Sequence, residues 1–309
     1  MSDTLPFRTL RPWLTAHFGR PVHRVALDAG STCPNRDGSK GFGGCVYCDV
    51  EGSGTGALKT GAELEAQLAA GIVRVARRDP GGGVIAYFQS YSNTYVERAR
   101  LSEVLGVVDP YLDGKPVVAV SIATRPDTLP PEALAELARL AERTEVWVEL
   151  GLEAADDKVL EDIRRFHTVD DFRWAVDRCH EAGLHVIGHA ILGLPGDGRE
   201  GARRTAQVLA ETGISGVKVH NLMVLRRTQL EKSWRAGELD VLDAKTYVEW
   251  LADFVEHLDP QQVLHRITGD APEEERLAPR WDVHKNAVRE LLAEELQRRG
   301  AEQGSAHRA

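Results

Sequence analysis

Short, nearly continuous runs of apolar and β-branched residues alternate with longer stretches of helical periodicity, and this alternation restricts the fold more than any other feature of the chain. The runs fall at residues 24–29, 84–89, 117–123, 146–152, 185–192, 217–224 and 262–268. Unbroken apolar character is what strands covered on both faces require. Between them, apolar residues recur at helical spacing over 62–77, 96–108, 131–143, 170–182, 200–212 and 244–258. Pro130-Pro131-Glu132 and Asp170-Asp171 read as helix starts, and Gly183 and Gly213 sit where a left-handed cap is wanted. Strand–helix alternation repeated about six times predicts an α/β fold with a parallel sheet and right-handed crossovers. Over roughly 260 residues it suits a complete or partial (β/α) barrel, with a doubly wound open sheet as the alternative. No linker or low-complexity tract divides the chain. The expected organisation is a barrel domain over 1–269 and an extension over 270–309 ending in a charged helix at 283–299.

At 309 residues, 42% hydrophobic and 28% charged, the chain can bury a substantial core. Its first ten residues lack a basic start followed by an apolar run, so no signal peptide is expected. No apolar stretch approaches the roughly 18–20 residues of a membrane helix. The expected compartment is therefore the cytoplasm, and no membrane partner is expected. Four cysteines in a chain of this length do not form a disulfide framework. The net charge of −9 argues against loose binding to a polyanion but leaves room for a local basic face. Arginines are dense at Arg74/Arg77/Arg78, Arg164/Arg165, Arg203/Arg204 and Arg226/Arg227, where solvated helix faces are the simplest reading.

Cys33, Cys45 and Cys48 follow the first candidate strand with the spacing Cys-x11-Cys-x2-Cys. Two intervening residues let a tight turn bring two sulfurs to one metal centre, and the glycines of the loop let Cys33 fold back toward them. With no fourth thiolate nearby, a cuboidal cluster held by three would keep one iron open, as a working metal site requires. A zinc site completed by His23 or Asp28 is the alternative. The loop's place after a strand would set it on the C-terminal rim of a barrel. Cys179, in the middle of a helical stretch, reads as a small buried hydrophobe.

Asp28-Ala29-Gly30, then Cys33-Pro34-Asn35-Arg36-Asp37-Gly38 and Gly43-Gly44-Cys45-x2-Cys48, closely resemble the YhcC-type radical S-adenosylmethionine (SAM) proteins. These are relatives of the radical SAM domain in the Elongator catalytic subunit. The likeness continues through Phe88 to Tyr95, Ser121 to Asp127, Glu149 to Glu153, Leu192 to Gly196 and His265 to Pro272, nearly the whole chain. The long gap before Cys-x2-Cys departs from the three-residue gap of most radical SAM enzymes and is typical of this branch. The resemblance implies a radical SAM barrel with one 4Fe–4S cluster, SAM chelating the open iron, and a 5′-deoxyadenosyl radical that abstracts hydrogen. It also implies an electron donor such as flavodoxin or ferredoxin.

Within that frame, Gln89 and Tyr91 follow the second strand and could hold the amine or adenine of SAM. Thr124 and Arg125 end the third strand, where Arg125 could meet SAM or a substrate anion. Glu149 and Glu153 share parity on the fourth strand and so face one side, a costly place for carboxylates unless paired or hydrated. Arg165 lies twelve residues after Glu153, a spacing that in related enzymes carries SAM contacts. His189 could contact SAM or be a satisfied core histidine. Gly193 opens a turn where backbone could approach adenine. His220 and Asn221 are substrate-side candidates, and Arg266 and Asp270 could pair or bind substrate. Arg226-Arg227-Thr228 stands where the family usually shows Lys-Gly-Thr. Three functions follow as expectations: a radical SAM enzyme acting on a tRNA wobble-uridine side chain, one acting on a small metabolite or tetrapyrrole, or a non-catalytic iron–sulfur or zinc protein.

Overall fold

A computed structural model describes residues 5–48 and 61–308; the first four residues of the N-terminal stretch read above lie outside them. Helix α1 (Leu10–Phe18) precedes strand β1 (Val22–Leu27). Then follow α2 (Leu64–Arg78), β2 (Gly83–Phe88), α3 (Arg98–Gly106), β3 (Val117–Thr124), α4 (Pro131–Ala141), β4 (Glu145–Glu153), α5 (Asp157–Asp162) and α6 (Val169–Glu181). The second half holds β5 (His185–Leu192), α7 (Gly198–Glu211), β6 (Gly216–Asn221), β7 (Val224–Leu225), α8 (Gln229–Arg235), α9 (Ala244–His257), β8 (Val263–Arg266), β9 (Arg276–Ala278) and α10 (Lys285–Arg299).

Seven parallel strands form one sheet in the order β1-β2-β3-β4-β5-β6-β8, so β1 and β8 are its edges. Contacts from α1 to both edges show the sheet curled toward closure, and the barrel is a partial one. On β2 to β5 even-numbered residues such as Phe88, Ile122, Leu150 and Val186 pack outward under the helices and odd-numbered ones point inward in layers. On β1 and β6 the parity is reversed, with Val25 and Val217 outward and Arg24 and Lys218 inward. The lowest layer is apolar, with Ile85, Ala119, Trp147, Ile187 and Val263 packed against Leu10 and Leu14 of α1. One turn of spacing places those two leucines on one face, and Gly19, at φ 65°, ends the helix in a left-handed cap. Sequence reading did not find α1, because nine residues carry too few apolar repeats to stand out.

The helices expected from periodicity form with small shifts of their ends. In α6 the Thr168 side chain accepts from the Asp171 amide while the Asp171 carboxylate accepts from the Thr168 amide, a reciprocal cap. Strand β1 ends at Leu27 rather than at residue 29, because the Asp28 amide turns aside to the Gln67 side chain at 2.9 Å. The expected strand over 217–224 is two elements: β6 stops at Asn221, and Val224–Leu225 leaves to pair antiparallel with β9. In α10, Val288, Leu292 and Leu296 repeat every fourth residue, are fully buried and join the main core beside α9. Burial of each such side chain is worth about 1.5–3 kcal/mol. Among the described residues no helix is long and apolar enough to cross a membrane.

Candidate active site at the C-terminal rim

Beyond β1 the chain turns through the cysteine loop. The Arg36 amide donates to the Cys33 carbonyl at 2.8 Å, and the Cys48 amide to the Cys45 carbonyl at 3.0 Å. Gly43 and Gly44, at φ 80° and 82°, make a reversal that a side chain would strain, and a Cβ at Gly44 would meet the Arg36 guanidinium at 3.0 Å. The loop is stitched to the segment after α5: Val46 N–H donates to Ile163 O at 3.1 Å and Asn35 Nδ2 to Arg164 O at 2.6 Å. Cys33, Cys45 and Cys48 thereby line one pocket. Two donors point at sulfur there: Arg36 reaches Cys48 Sγ at 3.1 Å and Asn35 Nδ2 reaches Cys45 Sγ at 3.4 Å. His23 instead bonds Asp79 at 3.0 Å, and Asp28 accepts the Gly30 amide at 3.1 Å; neither lines the cysteine pocket. Among the described residues no three His, Cys, Asp or Glu side chains converge on a single-ion site.

The pocket, about 340 Å³, is of the size that holds a small cofactor. Gln89, Tyr91, Thr124, Arg125, Glu149, Glu153, Arg165 and His189 line it together with the cysteines. Glu153 gets there through a break in regularity: its φ is 69° and the β4–β5 register shifts between Gly151 and Glu153. Gly151 has no side chain because the space is filled, a Cβ there lying 2.3 Å from the Glu153 carboxylate and 2.6 Å from Arg165. Arg165 donates to Gly151 O at 2.9 Å and stands 3.5 Å from Glu153, while its Nε is buried with no partner. Arg125 is less free than its sequence position suggested. It grips Asp127 bidentately at 2.8 Å and also donates to Arg165 O, leaving only one buried terminal nitrogen without a partner. Burial works against Asp127, but Arg125 and then Lys40 hold its carboxyl down to about 2. Buried guanidinium nitrogens left without acceptors are what an anionic ligand group would satisfy.

Gly193 lies outside this pocket. Its φ of 91° opens the turn as expected, but the space beside it is taken by the Leu242 side chain, 3.2 Å from where a Cβ would sit. Asn221 lines the pocket but also accepts from Thr268 Oγ1 and Gly269 N–H, both at 2.9 Å, which pins the last loop of the barrel. Arg226 and Arg227 are occupied as well: Arg226 donates to Glu274 O at 2.7 Å and Arg227 pairs with Glu275 at 2.8 Å, fastening β7 to β9. Cys179 is buried in α6, where burial pushes its thiol up to about 12.

Below the rim, the middle inward layer is charged. Glu149 accepts from Ser121 Oγ and from His189 Nε2 at 2.9 Å, and it pairs with Lys218. The Lys218 ammonium also sits 4.2 Å from the centroid of the Tyr87 ring. Burial alone would raise Glu149, but Lys218 and His189 hold it well below the usual carboxylate range. Burial, only partly offset by Glu149 and reinforced by nearby Arg24 and Arg266, pushes Lys218 down to about 7. His220, 5.9 Å from the His189 ring, is held neutral by burial and by Arg266. Sequence reading missed Lys218, although a lone lysine at an inward position between Val217 and Val219 was a signal open to it.

The family model of the Radical SAM superfamily matches residues 32–209, more than half of the chain. The chain belongs to the radical SAM superfamily. A second model, the Radical_SAM C-terminal domain, matches residues 214–298 of this radical SAM protein. It is 38% identical to the uncharacterised protein YtqA of Bacillus subtilis over 96% of its length and 92% of that protein's. It is 34% identical to YhcC of Escherichia coli K12 over 87% of its length and 85% of that protein's, so the family resemblance in the sequence holds. A tRNA uridine(34) acetyltransferase of Dehalococcoides mccartyi is 29% identical over 57% of this chain, which spans 38% of that longer protein. Among solved structures, the archaeal Methanocaldococcus infernus Elp3 matches with a TM-score of 0.71 at 18% identity, over 91% of this chain and 64% of that one. At that identity the match speaks to the fold. As a radical SAM enzyme the protein uses a 4Fe–4S cluster and SAM.

Proposed function

We propose that Cys33, Cys45 and Cys48 hold the 4Fe–4S cluster of this radical SAM enzyme, that SAM binds beside them, and that the substrate is a wobble-uridine side chain in tRNA. The single observation that carries the first two assignments is that the three cysteines line one pocket with Arg165 and Glu153. When bound and reduced, the cluster with SAM supplies a hydrogen-abstracting radical. Arg36 and Asn35, donating toward Cys48 and Cys45, would tune the sulfurs of the site. Arg165, with a buried nitrogen lacking an acceptor, would bind the carboxylate of SAM. Gln89, Tyr91, Thr124 and His189 would line the remainder of that pocket, and Arg125 would act by fixing Arg165 through its carbonyl. Glu149, His189 and Lys218 lie deeper, where they can hold or exchange a proton near bound substrate.

The partial likeness to a tRNA uridine(34) acetyltransferase supports the substrate assignment. A base must leave its stack to enter such a pocket, and an anticodon loop meets that need at small unstacking cost. The reading places the enzyme in the cytoplasm with a flavodoxin or ferredoxin as electron donor. Mass spectrometry of tRNA nucleosides from a deletion strain tests it: one wobble-uridine derivative should accumulate and its product disappear. Wild-type levels of every nucleoside would transfer the assignment to a small-molecule substrate.

A further inference from the structure

The two edge strands of the sheet, β1 and β8, face each other across the open side of the barrel, and a groove of about 520 Å³ lies along that seam. Five arginines line it, Arg11 from α1, Arg24 from β1, Arg78 from the end of α2, Arg266 from the end of β8 and Arg289 from α10, and among the described residues no aspartate or glutamate does. None of the five makes a side-chain hydrogen bond or ion pair with another described residue. Elsewhere the surface arginines Arg143, Arg173, Arg203, Arg235 and Arg298 are each held by a carboxylate within 3 Å. In a chain of net charge −9, five arginines with no ion-paired acid among the described residues along one groove form a local field opposite to that of the whole molecule.

The arrangement has a direction. Arg11 and Arg78 lie toward the barrel floor, where α1 sits and where α2 ends before β2 begins. Arg266 closes β8 and lines the catalytic pocket as well as the groove, so the two spaces share a wall. Burial, and then the neighbouring Arg24 guanidinium, push Arg266 below its ordinary value, with Tyr87, Glu149 and Asp270 offsetting this only in part. Fixed guanidinium forks match phosphate oxygens in a way that a diffuse lysine surface does not.

We propose that this seam binds the phosphodiester backbone of an RNA strand and leads it to the rim of the pocket. The proposal rests on the reading of a tRNA substrate and adds the surface that would hold it. The arginine pairs dense in sequence at Arg203/Arg204 and Arg226/Arg227 do not take this role, because carboxylates and backbone carbonyls already engage them.

The test uses the full chain, reconstituted anaerobically, and a fluorescently labelled anticodon stem-loop whose binding is followed by anisotropy from low to moderate salt. Arg11→Glu, Arg78→Glu and Arg289→Glu are combined; all three positions are exposed. A control combines Arg143→Glu, Arg173→Glu and Arg235→Glu. Each phosphate contact contributes roughly 0.7–0.9 to the slope of log Kd against log salt, so the seam variant should lose about two to three units of slope and the control almost none. Arg289→Glu alone, which should lose about one unit, covers the case in which the triple variant fails to fold. A seam variant with wild-type affinity and slope overturns the groove and leaves the tRNA reading standing. Loss of binding to the stem-loop and to a scrambled RNA alike, from a wild-type protein that does not distinguish them, supports the groove and removes the tRNA reading. A wild-type protein that binds neither RNA overturns the groove. So does a seam variant whose only defect is slower reduction by an acidic electron-transfer protein, since the groove would then dock that partner.

Discussion

Lys218 on β6 reaches across β5 to pair with Glu149 on β4, and His189 on the strand between them bonds the same carboxylate oxygen. Three neighbouring strands thus converge on one acid, sealed between an apolar floor and the cofactor pocket. The pair is expensive to bury, and removing one member leaves the other uncompensated. Lys218→Met should lower folding stability by about 3–5 kcal/mol, and adding Glu149→Leu should restore most of that. Denaturant titration of the two variants and the wild type measures it. A double variant no more stable than Lys218→Met would contradict this account of the network.

The three rim cysteines and Cys179 should separate cleanly. Cys33→Ala, Cys45→Ala and Cys48→Ala should each abolish the iron, sulfide and visible absorbance gained on anaerobic reconstitution, which in the wild type should reach about four irons per chain. Cys179→Ala, in the core of α6, should keep all three signals. Stoichiometric zinc without sulfide in the wild type would overturn the cluster assignment.

Arg165 is the residue through which SAM binding should be visible. A charge-assisted hydrogen bond is worth about 1.5–3 kcal/mol, so Arg165→Ala should weaken SAM binding between about tenfold and a hundredfold. Iron content should not change, since the cysteine loop is tied to the carbonyls of 163 and 164 rather than to this side chain. Calorimetric titration with SAM reads the first, and iron analysis the second. Equal SAM affinity in variant and wild type would move the carboxylate site elsewhere.

Asp197 gives a prediction in pH. Burial, opposed only by distant Arg204, raises its carboxyl from 3.8 to about 6. Because the folded value lies above the unfolded one, its contribution to stability is fully present below about 3.8 and is lost as pH rises through about 6. Asp197→Asn should therefore be more stable than wild type above pH 6, by up to about 3 kcal/mol, with the difference vanishing below pH 4. Thermal melts across that range would show it. A variant less stable at every pH would mean that the carboxylate is needed where it is.

Periodicity located the parallel strands and six of the flanking helices, because each has enough apolar residues to reveal which face is buried. It could not find α1, whose role depends on two leucines meeting the starts of strands far away in sequence. Parity placed Glu149 and Glu153 on one side correctly, but only geometry shows that Glu153 arrives through a left-handed residue and that Gly151 is empty to admit it. Arg125 looked available to a ligand, since nothing in its local sequence says that Asp127 will fold back onto it. Charge was read least well of all. Arg203/Arg204 and Arg226/Arg227, adjacent in sequence, proved to be engaged by carboxylates and a backbone carbonyl, while the five arginines of the seam come from separate elements and meet only when the sheet curls.

With α1 seated against the strand starts, the barrel is a cup and not a tube. Among the described residues the floor is packed shut, so whatever enters by the mouth must leave by it. Arrival and departure then share one doorway, and a bulky partner lying over it would act as a stopper. Turnover in such a vessel would be paced by how readily the partner lifts away, and a fusion or truncation that unseats the first helix would drill a hole in the bottom.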